Sequence, residues 1–323
     1  MRSRARALPG RTPRGGRAGA WGLAVRLFRY REDKPYVFAF LALFAVDLAV
    51  YFLVDSVPWL FFWTLAGIFP KSAVCAHNHH HQHVPVFLHA PLNRLMEIVY
   101  GLQTGATSNA WVLHHSVGHH VTYLDQSKDE STWMRADGSK MGEIEYALDV
   151  TLTAYPRAWK VGARYPRHRR QFLVMGLLTL SIVVAAVWYR PWAGVAVFVI
   201  PPVISLFGTA WATYSHHSGR PTTSHFVACT NIMHPHYNVW TSNLGYHTAH
   251  HFRSGVHWSR LPALHREIEH LIPADCYVDP GFPWKLTGQQ VVEPPKGARA
   301  SGERGFEAIG EDLVDPGALD AAA

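Results

Sequence analysis

Two long apolar stretches, each interrupted once, frame this sequence. Residues 36–69 are almost continuously hydrophobic, broken by Asp47 and by the Asp55-Ser56-Val57-Pro58 cluster, which offers a turn. A membrane span takes roughly 20 apolar residues at about 1.5 Å of rise each. The stretch therefore predicts a hairpin of two helices, near 37–54 and 57–76. Residues 173–189 and 192–214 predict a second hairpin that turns at Arg190-Pro191, with Pro201-Pro202 kinking the later helix. Between the hairpins, residues 97–113 are apolar but dotted with Gly, Thr and Ser, and read as a helix lying at the interface or inserted shallowly. Asp47 is costly within a span and is expected to face the bundle interior. The predicted fold class is all-α: a polytopic membrane protein with about four transmembrane helices and a cytoplasmic, histidine-rich cap. A soluble protein with two buried hairpins is the alternative.

Charge adds an orientation. The chain carries a formal +7, which raises the question of nucleic acid. Residues 1–35 hold nine Arg and Lys34 against Glu32 and Asp33, a net +8, so the remaining 288 residues sum to −1. The basicity belongs to a Pro- and Gly-rich tail, which reads as a disordered segment beside a membrane, with an organelle transit peptide as rival and no nucleic-acid partner expected. Arg190 is the only basic residue between the spans of either hairpin. The positive-inside rule thus predicts that both termini and the two long loops are cytoplasmic. Three units result: a disordered basic tail (1–35), a membrane domain (36–285) and a disordered Gly-, Ala- and Pro-rich tail (286–323). Three cysteines without a CxxC exclude a disulfide framework or a Cys-rich zinc module.

Candidate chemistry lies in the 22 histidines, all between His77 and His270. Three clusters stand out. In Ala76-His77-Asn78-His79-His80-His81-Gln82-His83, a helix would put His77 and His81 on one face, but His79 and His83 have the same spacing, so the register is open. In His114-His115-Ser116-Val117-Gly118-His119-His120, His115 and His119 share a face, and His120 can reach a neighbouring ion. In His247-Thr248-Ala249-His250-His251, the i, i+3, i+4 spacing gathers three imidazoles. Neutral imidazole suits Zn, Cu, Fe and Ni. There is no HExxH of a zinc protease, and a single ExxH where soluble di-iron carboxylate bundles need two. Eight or nine histidines exceed one site of about four ligands, which favours a pair of iron ions.

These motifs resemble the integral-membrane fatty acid desaturases and hydroxylases, which carry three histidine boxes: here HNHHH (77–81), HSVGHH (115–120) and HTAHH (247–251). Box order and the placement of both hairpins match as well, over roughly residues 36–275. The resemblance implies two iron ions held at the cytoplasmic face by His77, His81, His115, His119, His120, His217, His247, His250 and His251. His217 is taken from Thr213-Tyr214-Ser215-His216-His217 by the Thr-Tyr pair, with His234 and His236 as competitors. The second box has three residues before its His-His pair where two are commoner. The resemblance further implies O2 as co-substrate, a lipid or acyl substrate drawn from the membrane, and electrons from a separate ferredoxin or cytochrome, since no fused haem segment is apparent. The expected reaction is desaturation of a fatty acyl chain. A hydroxylase or ketolase on the same scaffold is the alternative, and a non-enzymatic metal-binding membrane protein the third reading.

Overall fold

The computed structural model describes residues 26–279 together with 290–291, 294–295 and 297–298. Most of the basic N-terminal tail and of the C-terminal tail lies outside the described residues. Helix α1 (Asp33–Leu53) and helix α2 (Val57–His83) form the first hairpin. Val37, Phe40, Phe44, Asp47 and Tyr51 recur every three or four residues along α1 and turn inward. Phe38, Leu41, Val46 and Phe52 lie on the outside, as lipid-facing positions do. The 27 residues of α2 span about 40 Å, against roughly 30 Å of hydrocarbon. Its last turns, which carry His77 to His83, therefore project beyond the apolar layer.

Helix α3 (Ala90–Thr104) packs against α2 and against the second hairpin. The helix expected over residues 97–113 is instead divided. The chain turns at Gly105, with φ +73°, where an added Cβ would come within 2.8 Å of Leu206 and of the Pro202 carbonyl. A π-helical turn (Val112–Ser116) follows, and then α4 (Glu143–Val161). Tyr146, Ala147 and Val150 of α4 are buried, whereas Ile144, Leu148 and Leu152 are exposed.

The second hairpin comprises α5 (Pro166–Tyr189), α6 (Pro191–Phe198) and α7 (Ile200–His217). The expected kink appears as a break at Val199. Pro201 and Pro202 lack N–H groups, so the carbonyls of Val197 and Phe198 lose their helical donors. By length and apolarity, α1, α2, α5 and the combined α6–α7 can each cross a membrane, and the protein is an integral membrane protein. Arg190 joins the two hairpins at their far end, bonding the Tyr51 carbonyl, the Val54 carbonyl (3.0 Å) and the Asp55 carboxylate.

Asp47 does face the interior. Its Oδ1 accepts from Lys71 Nζ at 3.0 Å and from the Trp63 indole at 2.8 Å, and both charged groups are 1% exposed. Lys71 thus belongs to the buried interior of α2, within the span expected near 57–76. The short helices α8 (Pro235–Trp240), α9 (His247–Phe252) and α10 (Leu261–Ile268) complete the histidine-bearing end. The only strands among the described residues are β1 (Val278–Asp279) and β2 (Gln290–Val291), paired antiparallel.

Candidate metal centre

Imidazoles from four elements converge where α2, the π-turn, α7 and α9 meet. His79, His83, His115, His120 and His250 each bring one nitrogen into a set whose members lie within 4.8 Å of one another. His217, Cys229, His247 and His251 form a second such set. Two nitrogens on opposite sides of one ion stand about 4.2 Å apart, at about 2.1 Å each. Both sets are thus near metal-binding size.

The π-turn explains the spacing of the second box. The Val117 N–H bonds the Val112 carbonyl and the His120 N–H bonds the His115 carbonyl, each five residues back. The wider turn rotates residues five apart toward one side, so His115 Nε2 and His120 Nε2 face each other at 2.9 Å. Gly118 permits the tight packing of this segment: a Cβ there would lie 2.5 Å from the His114 carbonyl and 2.8 Å from Glu130.

His119 points to the second set. Its Nδ1–H donates to Asp129 Oδ1 at 2.7 Å, and its Nε2 lies 3.3 Å from His217 Nε2. His217 donates its own Nδ1–H to the Ala228 carbonyl at 3.2 Å, and its Nε2 also lies 2.9 Å from His247 Nε2. Two ring nitrogens turned toward each other at this distance suit a shared cation. His216, by contrast, has both nitrogens occupied, by the Thr230 carbonyl and the Tyr237 hydroxyl.

Helix α9 is fixed by Asn231. Its Oδ1 accepts the Thr248 N–H at 3.0 Å and its Nδ2 donates to Thr248 Oγ1 at 2.8 Å, setting the turn that carries His247, His250 and His251. His250 Nε2 faces His79 Nε2 at 2.8 Å, and the His251 ring stacks on His120 at 4.0 Å, where the two sets adjoin. Both nitrogens of His251 and Nε2 of His83 are buried without a hydrogen-bond partner. Such orphaned ring nitrogens fit a metal where they converge, which Nε2 of His77, His80 and His81, orphaned as well, do not do within either set. Burial, and then the neighbouring imidazoles, hold His115, His120, His247, His250 and His251 well below the ordinary histidine pKa. They are neutral at pH 7, the form that offers a lone pair.

Of the nine residues expected from the sequence, His115, His119, His120, His217, His247, His250 and His251 come together here. His77 and His81 do not. His77 lies against Ser242 (3.2 Å) and Asp33 (3.8 Å), and His81 faces Glu97 (3.5 Å) and accepts the Val86 N–H. The other register of that box, His79 and His83, supplies the first set. His234 and His236 lie beside each other at the start of α8, outside both sets. Cys229 was not anticipated as a neighbour. Its Sγ approaches His217 from the Nδ1 side at 3.8 Å, and burial pushes its thiol pKa well up, so it flanks the second set as a neutral group. Asp129 carried no spacing signal, since it lies in a loop ten residues from its partner.

Comparison with known proteins supports the reading of these boxes. No curated protein and no solved structure matches the chain. The family model described as fatty acid desaturase matches residues 56–280. That match covers more than half of the 323 residues and contains all three boxes, both hairpins from α2 onward and the paired imidazole sets. The chain belongs to the fatty acid desaturase family.

Proposed function

We propose that this protein is a membrane di-iron oxidoreductase that desaturates a fatty acyl chain at the expense of O2. The observation that carries the reading is the pair of adjoining imidazole sets, in which His119 and His217 turn their Nε2 atoms toward each other. The proposed ligands are His79, His83, His115, His120 and His250 for one ion, and His119, His217, His247 and His251 for the other. Iron supplies the O2 chemistry needed to break an unactivated C–H bond, which no side chain provides.

The remaining work falls to the chain itself. Asp129 and the Ala228 carbonyl hold the protons of His119 and His217 on Nδ1, which fixes the direction of both Nε2 atoms. Asn231 holds the third box in place through Thr248. A small cleft of about 20 Å³ between α4 and α7, lined by Val150, Ala154, Leu206 and Ala210 and by the polar Ser131, Thr151 and Thr213, reaches His115. In the proposed reaction two hydrogens leave adjacent carbons, two electrons arrive from a separate ferredoxin or cytochrome with two protons from solvent, and O2 ends as two waters. The distribution of Lys and Arg supports a cytoplasmic location for the histidine-bearing end and for both termini.

Lipid profiling after expression in a host lacking the activity tests the reaction. New cis-unsaturated acyl chains are expected with the wild type and none with the His247→Ala/His250→Ala double variant. Hydroxylated or ketonic chains in their place would assign the protein to the oxygenating branch of the same scaffold.

A further inference from the structure

A second feature shares no lining residue with the two imidazole sets. Where α1 begins, a groove of about 700 Å³ is lined by Arg26, Arg29, Arg31, Lys34 and Arg260, with Glu32 as its one carboxylate. Glu32 and Arg31 pair only loosely, at 3.6 Å. The remaining positive charge asks for an anion.

The walls are anchored. The Arg29 N–H bonds the Val86 carbonyl at 2.8 Å and the Leu88 N–H bonds the Leu27 carbonyl at 2.9 Å, which ties this segment to the chain following α2. Arg29 Nε also donates to the Pro85 carbonyl. On the other side, Tyr30 stacks on His257 at 3.8 Å, and Asp33 accepts from the His257 imidazole and the Trp258 indole, just before Arg260.

The groove is basic at one end and apolar at the other. Phe38, 61% exposed, lines it and also begins the outward row of α1 that continues through Leu41 and Val46. That row faces the hydrocarbon, so the cations stand at headgroup level. A free phosphate would use the cations and leave the apolar row idle. A zwitterionic headgroup would bring an ammonium into a basic site. We propose that the groove binds the phosphate of an anionic phospholipid, whose tails lie along the outward row of α1.

Spin-labelled phosphatidylglycerol and phosphatidylcholine, added separately to the purified full chain in neutral detergent, test this. The fraction of label immobilised on the protein is the readout. The wild type is expected to retain phosphatidylglycerol roughly tenfold more strongly at low salt, a preference that shrinks as salt screens the charges. The Arg31→Gln/Lys34→Gln/Arg260→Gln variant is expected to lose it. The charge-keeping Arg31→Lys/Lys34→Arg/Arg260→Lys variant is expected to keep it, which separates loss of charge from loss of fold. Equal retention of the two lipids by the wild type, or an unchanged preference in the glutamine variant, would overturn the proposal. Displacement of the lipid by equimolar glycerol phosphate would overturn it too, because the site would then belong to a soluble phosphate.

Discussion

At the residue scale, the first box shows how far spacing alone can reach. His77 and His81 lie on one side of the last turns of α2 and His79, His80 and His83 on another, with Asn78 and Gln82 between them. Helical geometry makes 77/81 and 79/83 equivalent, and only the neighbours break the tie. Asp33 and Glu97 pack on one pair, His115 and His250 on the other. Those partners lie far away in sequence, so the register was not legible, whereas the third box was, because its three imidazoles share one short helix. The account predicts that His79→Ala/His83→Ala loses iron from the first set, while His77→Ala/His81→Ala retains it, as read by metal analysis of the purified variants. Asp129 allows a finer test. Replacing it with Asn removes the carboxylate charge and allows an amide donor to face Nδ1, so the His119 proton is no longer held there. Partners of this kind are worth about 10- to 100-fold in metal affinity. Asp129→Asn should weaken iron retention by that order in competition with a chelator, with the helical content preserved.

At the element scale, both hairpins were legible because each span needs a long apolar run, and few other folds use one. The boundaries moved outward at the histidine-bearing end. Helices α2 and α7 continue to His83 and His217, since their polar last turns pack against one another's loops instead of meeting water. Helix α4 was missed, as its apolar residues alternate with acids, threonines and a proline and gave no run. The π-turn was invisible to spacing rules built on 3.6 residues per turn. Asp47 was flagged by its cost, and its partner Lys71 gave no pairing signal, since it lies 24 residues away on the other helix of the hairpin. Removing one member of a buried pair strands the other charge and costs about 3–5 kcal/mol, whereas removing both can be nearly neutral. Lys71→Met should therefore lower the thermal unfolding midpoint more than Asp47→Leu/Lys71→Met does. Equal losses in both variants would show that the pair is not coupled.

At the scale of the whole molecule, the architecture separates two tasks. Arg190 ties the hairpin turns together at one end, and the other end gathers imidazoles from α2, the π-turn, α7 and α9. Family membership gives the scaffold and the class of chemistry. It does not by itself decide between desaturation and oxygenation, which depends on how a chain is held beside the imidazole sets. The central claim concerns what the two imidazole sets hold, and iron content per purified, full-length chain tests it most directly. The account predicts about two irons per chain, one for each set of roughly four or five imidazoles. Zinc in their place, or no bound metal, would contradict it.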